Sequence, residues 1–155
     1  EALGDAVFLA SQKPKRVLDF GSGSGVLSIA ASLAGVPHVD AVEVDPLAIA
    51  NATANAKLNS IDDDSLHFFS TLESLNTGYD LLLANILRPV LIEFSSRLAA
   101  LLAPGAGVIL SGLLESDLPS VLEIYTALLN RPPQKILKKR GMGSPCVEKS
   151  QVLKK

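Results

Sequence analysis

From Arg16 to Leu129 the chain alternates short apolar runs with longer stretches in which apolar residues recur at helical spacing. The runs Arg16–Phe20, His38–Val44, Ser65–Ser70, Tyr79–Ala84 and Gly107–Leu113 read as strands. Tyr79-Asp80-Leu81-Leu82-Leu83-Ala84 is nearly all apolar, as in a strand covered on both faces. Helices fall between them. One runs from about Ser24 to Ala34 and stops at Gly35, with Pro37 beyond. A second runs to Leu58 behind Asp45, an N-cap, and Pro46 at the first helical position. Pro89 opens a third, where Leu91, Phe94, Leu98 and Leu101 trace one face before Ala103-Pro104-Gly105 breaks it. Leu118, Val121, Leu122, Tyr125, Leu128 and Leu129 mark a fourth. Residues Glu1 to Gln12 suit a short helix, and Gln134–Arg140 with Val147–Lys154 a closing hairpin. Repeated strand–helix units predict an α/β domain with a parallel sheet and right-handed crossovers.

One junction stands apart. Val17-Leu18-Asp19-Phe20 runs straight into Gly21-Ser22-Gly23-Ser24-Gly25, and a helical pattern follows. Glycine tolerates positive φ and leaves no Cβ, so a ligand can lie against such a turn. N–H groups at the helix start favour a polar or anionic group there. The next strand ends on Glu43, 22 positions after Gly21. A glycine turn followed about 20 residues later by an acid at a strand tip is a nucleoside-binding pattern, the carboxylate accepting from ribose hydroxyls. The third glycine falls at Gly25, with Val26 next, which departs from the dinucleotide spacing G-x-G-x-x-G. Asp45 competes for the acid's role, but its position suits capping.

Composition narrows the class. Hydrophobic residues make up 48% of the 155 and aromatics 5%, so the core is expected to be aliphatic and alanine-rich, within one domain over 1–155. No apolar run reaches the ~18 residues of a membrane span, and no signal peptide is apparent. The single Cys146 fits a reducing compartment, cytoplasmic or organellar. One Cys and two His argue against a zinc site, and Asp62-Asp63-Asp64 lacks calcium-loop spacing. The net charge of −2 argues against a general nucleic-acid binder. It divides unevenly: 6 Lys+Arg against 15 Asp+Glu in residues 1–130, and 8 against 1 in residues 131–155. The basic end reads either as a solvated edge hairpin or as a patch that meets an acidic or RNA-bearing partner.

Val17 to Gly25, Glu43-Val44-Asp45-Pro46-Leu47-Ala48, Leu83-Ala84-Asn85-Ile86-Leu87, Leu102-Ala103-Pro104-Gly105 and Ser111-Gly112-Leu113-Leu114 together resemble the PrmA family of ribosomal-protein methyltransferases. The similarity covers nearly the whole chain. Ser22 stands where that family commonly has Cys, and Glu43 where it usually has Asp. The family's N-terminal recognition domain and its Gly-Thr-Gly-x-His-x-Thr-Thr loop lie outside these 155 residues. The resemblance implies a Rossmann-like class I methyltransferase fold, a mostly parallel seven-stranded sheet with helices on both faces and a terminal antiparallel hairpin. It implies S-adenosyl-L-methionine as cofactor, held by Asp19, Gly21, Ser22, Gly23, Glu43 and Asn85. It also implies amino-group methylation of a ribosomal or related protein.

Methyl transfer from a sulfonium to an amine needs positioning more than a nucleophilic side chain. No Ser/His/Asp or Cys/His arrangement is readable, and no metal is called for. Asn85, at a strand end, is the expected catalytic residue: its amide oxygen can accept from the acceptor amine, with Ile86-Leu87 as an apolar rim. Capping of the following helix is its competing role. Asp19 either contacts the cofactor's amino group or pins the turn through backbone N–H groups. Ser70 to Leu72 are placed to border the adenine. Two other readings remain open: a non-catalytic module that binds an adenosyl cofactor, and an NAD-dependent oxidoreductase.

Overall fold

The computed structural model describes residues 14–130, 135–140 and 147–154. The helix expected over Glu1 to Gln12 and the turn of the closing hairpin lie outside them. So do the side chains of the basic end. Seven strands form one sheet: β1 (Arg16–Phe20), β2 (His38–Val42), β3 (Leu66–Phe69), β4 (Tyr79–Asn85), β5 (Leu102–Leu113), β6 (Lys135–Arg140) and β7 (Val147–Lys154). Their order is β3-β2-β1-β4-β5-β7-β6. The first five pair in parallel, while β7 runs antiparallel to both β5 and β6. This is the mostly parallel seven-stranded architecture that the resemblance implied. The order reverses direction between β1 and β4, the switch point at which open α/β sheets hold ligands.

Strand alternation builds two cores, one on each face. Leu18, Phe20, Leu82, Ala84, Val108 and Leu110 point one way and pack under α3 (Arg88–Glu93), α4 (Ser95–Leu101) and α5 (Leu118–Leu129). Val17, Leu81, Leu83 and Ile109 point the other way, against α1 (Val26–Leu33) and α2 (Pro46–Leu58). A sheet covered on both faces can keep β4 apolar throughout. The Tyr125 hydroxyl donates to the Leu91 carbonyl at 3.1 Å and ties α5 to α3.

Several boundaries move, each for a local reason. Helix α1 begins at Val26 because Gly25, at φ 81°, sits in the left-handed region before it. Strand β2 stops at Val42: the Glu43 N–H still donates to the Phe69 carbonyl, but the Glu43 carboxylate takes the N–H groups of Val44 and Asp45 and turns the chain away. The helix expected from Pro89 is two, hinged at Phe94 (φ −92°, ψ 0°), whose ring packs 5.4 Å from Phe20. Strand β5 starts early: Leu102 already pairs with Tyr79, and Ala103 to Ala106 bulge out before Gly107 pairs with Leu81. No helix among the described residues is long and apolar enough to cross a membrane.

Candidate active site at the carboxyl tips of the strands

Asp19 lies in β1 and is fully buried. Its Oδ2 accepts from the Ser28 hydroxyl at 2.5 Å, so it pins the first turn of α1 rather than the glycine turn. Burial pushes its pKa up from 3.8 to about 6, against the lowering effect of the Ser28 bonds, with the Glu43 charge adding to the rise. Among the described residues its Oδ1 has no partner, and neither has the buried Ser22 Oγ. Buried polar atoms are normally paired, so two orphans three residues apart single out this turn as a candidate site.

The glycine turn itself is backed by protein. The N–H groups of Gly21 and Ser22 donate to the Val42 carbonyl at 2.9 and 3.0 Å, and that of Gly25 to the Ser22 carbonyl at 2.9 Å. The Gly23 N–H donates to Glu43 Oε2 at 2.9 Å. Four N–H groups of the turn ahead of the helix are therefore taken up by the protein itself. Space is what the turn offers instead: a Cβ built at Gly23 would meet no atom within 4 Å, and its φ of 53° favours glycine.

Glu43 bridges the two strand tips. Besides Gly23, it accepts from the N–H groups of Val44 and Asp45, at 2.8 and 3.1 Å on Oε1. Asp45 is the cap, its Oδ1 accepting from the Leu47 N–H at 2.9 Å ahead of Pro46. Of the two acids, only Glu43 reaches the glycine turn. Beyond it, Ser70 is exposed and Leu72 is buried in the core.

Across the switch point, Asn85 ends β4 opposite Ser111 of β5. Its side chain makes no hydrogen bond among the described residues and is exposed. Helix α3 is capped by Leu87 with no side-chain bond, so Asn85 does not serve as a cap. Ile86 folds inward toward Gly21, whereas Leu87 is 70% exposed and Leu114, beyond β5, is 52% exposed. Arg88 Nε reaches Asp117 Oδ1 at 3.1 Å, and Asp117 Oδ2 accepts from the Leu114 N–H at 2.9 Å. That pair locks together the two loops that flank Asn85. Sequence reasoning missed it, because no motif links residues 29 apart. His67, given no catalytic role, lies in β3, 3.5 Å from Asp40. Among the described residues no group of three or more His, Cys, Asp or Glu is arranged to hold a metal ion.

The model of the family described as ribosomal protein L11 methyltransferase (PrmA) matches residues 5–137. The chain is 38% identical over 123 residues to the ribosomal protein L11 methyltransferase of Marinobacter nauticus, covering 78% of this chain and 41% of that one. It thus spans about two fifths of the length of the curated relatives it matches. A ribosomal protein L11 methylase structure from Lactobacillus delbrueckii subsp. bulgaricus superposes with a TM-score of 0.77 at 28% identity, over 99% of this chain and 77% of that one. The fold is shared more widely. The N-methyltransferase NodS from Bradyrhizobium japonicum, solved with S-adenosyl-L-homocysteine, gives the same TM-score at 15% identity, over 99% and 83%.

Proposed function

The chain belongs to the ribosomal protein L11 methyltransferase (PrmA) family, and from that premise we propose that it is the methyl-transferring domain of an S-adenosyl-L-methionine-dependent protein N-methyltransferase. Residues 1–155 form that single domain. The acceptor is an amino group, of lysine or of a chain terminus, on ribosomal protein L11 or a related protein. One observation carries the reading: at the β1 tip and the turn after it, Asp19 Oδ1 and Ser22 Oγ are buried with no partner among the described residues, and the Cβ side of Gly23 is open. These residues fit a nucleoside with a charged amino-acid tail. Asp19 and Ser22 meet the tail's polar atoms, Gly23 leaves room for it, Gly21 lines the turn with its backbone while Ile86 packs where its Cβ would be, and Glu43 accepts from the ribose.

When bound, the cofactor supplies an electrophilic methyl group on a sulfonium. The protein's own part is positioning and proton management. Asn85, uncommitted to any cap, presents an amide oxygen to the acceptor N–H and so orients the nitrogen lone pair; as the last residue of β4 it also borders the cofactor. The exposed apolar side chains of Leu87 and Leu114 shed water around the entering amine. A low-dielectric rim favours the neutral, nucleophilic amine over its ammonium form.

Calorimetric titration with S-adenosyl-L-homocysteine and, separately, NAD tests the cofactor: binding of the first alone is expected, and binding of NAD alone would overturn the proposal. Incubation with radiolabelled S-adenosyl-L-methionine and L11 should label L11. Asn85→Ala should leave homocysteine-analogue binding within about twofold and cut methylation about 100-fold, the scale of a misplaced reacting group.

A further inference from the structure

Asn85 and Ile86 sit in a notch between two positions that have no Cβ. On the β1 side, a Cβ at Gly21 would lie 2.7 Å from Ile86 Cδ1. On the β5 side, a Cβ at Gly112 would lie 2.6 Å from Asn85 Oδ1, with Asn85 Cγ and the Ile86 nitrogen both at 3.7 Å. Both glycines are left-handed, at φ 75° and 76°. Gly112 sits inside β5 at the irregularity where pairing with β7 slips between Leu110 and Leu113, and its left-handed φ by itself favours glycine. The amide of Asn85 needs the missing side chain as well, because it occupies the place a Cβ would take.

We propose that Gly112 is a positioning residue for methyl transfer: by lacking a Cβ it lets the Asn85 amide oxygen rest against the β5 backbone, which fixes its aim. This rests on the catalytic reading of Asn85. A residue with a side chain at this position forces Oδ1 aside. The amide of Asn is the end of a short, rotatable side chain, so the fold absorbs the change while the aim is lost. Ile86, seated over Gly21, anchors the same dipeptide from the other side and ties it to the glycine turn.

The test uses the full chain labelled with 15N, in the parent and in Gly112→Ala, Gly78→Ala and Asn85→Ala. Gly78 is the control: at φ 100° alanine is strained there too, but its Cβ would meet only Arg16 Nη1, at an ordinary 3.7 Å. The Asn85 side-chain NH2 pair is assigned by its loss in Asn85→Ala. Gly112→Ala should shift that pair and Gly78→Ala should leave it in place. Methylation should fall about tenfold in Gly112→Ala, with affinity for S-adenosyl-L-homocysteine within about twofold of the parent. The double variant should be no slower than Asn85→Ala alone, because Gly112 acts through Asn85.

An unmoved NH2 pair overturns the proposal, as does a rate loss that adds in the double variant. Unfolding of Gly112→Ala with Gly78→Ala intact overturns it too, since the added methyl would then have displaced backbone rather than an amide. If instead Asn85→Ala keeps full activity, the reading of Asn85 falls. A shifted NH2 pair then identifies Gly112 as a purely structural neighbour.

Discussion

The two halves of the sheet treat their polar residues in opposite ways. Toward the amino ends, Arg16, Asp40, His67 and Tyr79 form a closed set. The Tyr79 hydroxyl donates to Asp40 Oδ2 at 2.6 Å, and Arg16 and His67 each lie 3.5 Å from the same carboxylate. The Arg16 guanidinium stacks 4.7 Å over the Tyr79 ring and donates to the Thr77 carbonyl at 2.8 Å. At the carboxyl tips, Asp19 and Ser22 each keep a buried oxygen with no partner among the described residues, and the Asn85 side chain makes no hydrogen bond among them. Titratable residues are plentiful at both ends. What distinguishes a site from scaffold here is unfinished hydrogen bonding, which a fold tolerates where a ligand completes it.

The largest expected effect of that difference lies at Asp19. Its pKa in the folded chain, about 6, stands above the unfolded 3.8. A raised carboxyl binds its proton more tightly when folded. Its stabilising contribution is therefore complete below about pH 4 and is lost as pH rises through about 6. At 1.36 kcal/mol per pKa unit the loss is about 3 kcal/mol. In urea unfolding, Asp19→Asn should gain on the parent by about that much between roughly pH 4 and 7.5. A gap that stays constant with pH would mean the charge is already compensated, and the contrast between the two ends would dissolve.

Glu43 belongs to the carboxyl tips but is only partly open, and its effect is smaller. A carboxylate offers about four acceptor sites, and the N–H groups of Gly23, Val44 and Asp45 occupy three of them. A ribose with two adjacent hydroxyls therefore competes with the Gly23 bond. Glu43→Ala should weaken binding of S-adenosyl-L-homocysteine by roughly 1–3 kcal/mol in calorimetry. Unchanged affinity would make Glu43 a strut of the glycine turn, and move it into the scaffold half of the comparison.

Much of this was legible in the residues. Strand β1 matches its sequence limits, and Asp45 caps α2 as its place before Pro46 foretold, because both depend on near neighbours. The glycine turn and Glu43 were readable as a pair for the same reason: spacing along the chain sets spacing between adjacent parallel strands. Contacts between distant segments were not legible. Whether Asp19 holds the turn or the helix depends on the reach of Ser28, and Glu43 closing onto Gly23 depends on where two strand tips meet in space. Nor was the packing of Phe94, at the hinge, on Phe20, 74 residues earlier, legible. The seat of Asn85 on Gly112 needed β4 and β5 side by side, although the Ser-Gly-Leu-Leu segment was visible as a motif.

Tyr79→Phe gives the smallest effect and the sharpest control. Burial first, then the bond to Asp40, raises the Tyr79 pKa, so the hydroxyl stays a protonated donor throughout the physiological range. Removing it leaves Asp40 with Arg16 and His67, so the carboxylate is not stranded and the cost should be about 1 kcal/mol in urea unfolding. Tyr79 opens β4, and Asn85 closes it. A rigid strand buried on both faces can lose a bond at one end without re-aiming a side chain at the other. Affinity for S-adenosyl-L-homocysteine and the methylation rate should therefore match the parent. A variant that keeps its stability yet loses affinity would show the two ends acting as one unit, with the amino-end network part of the site.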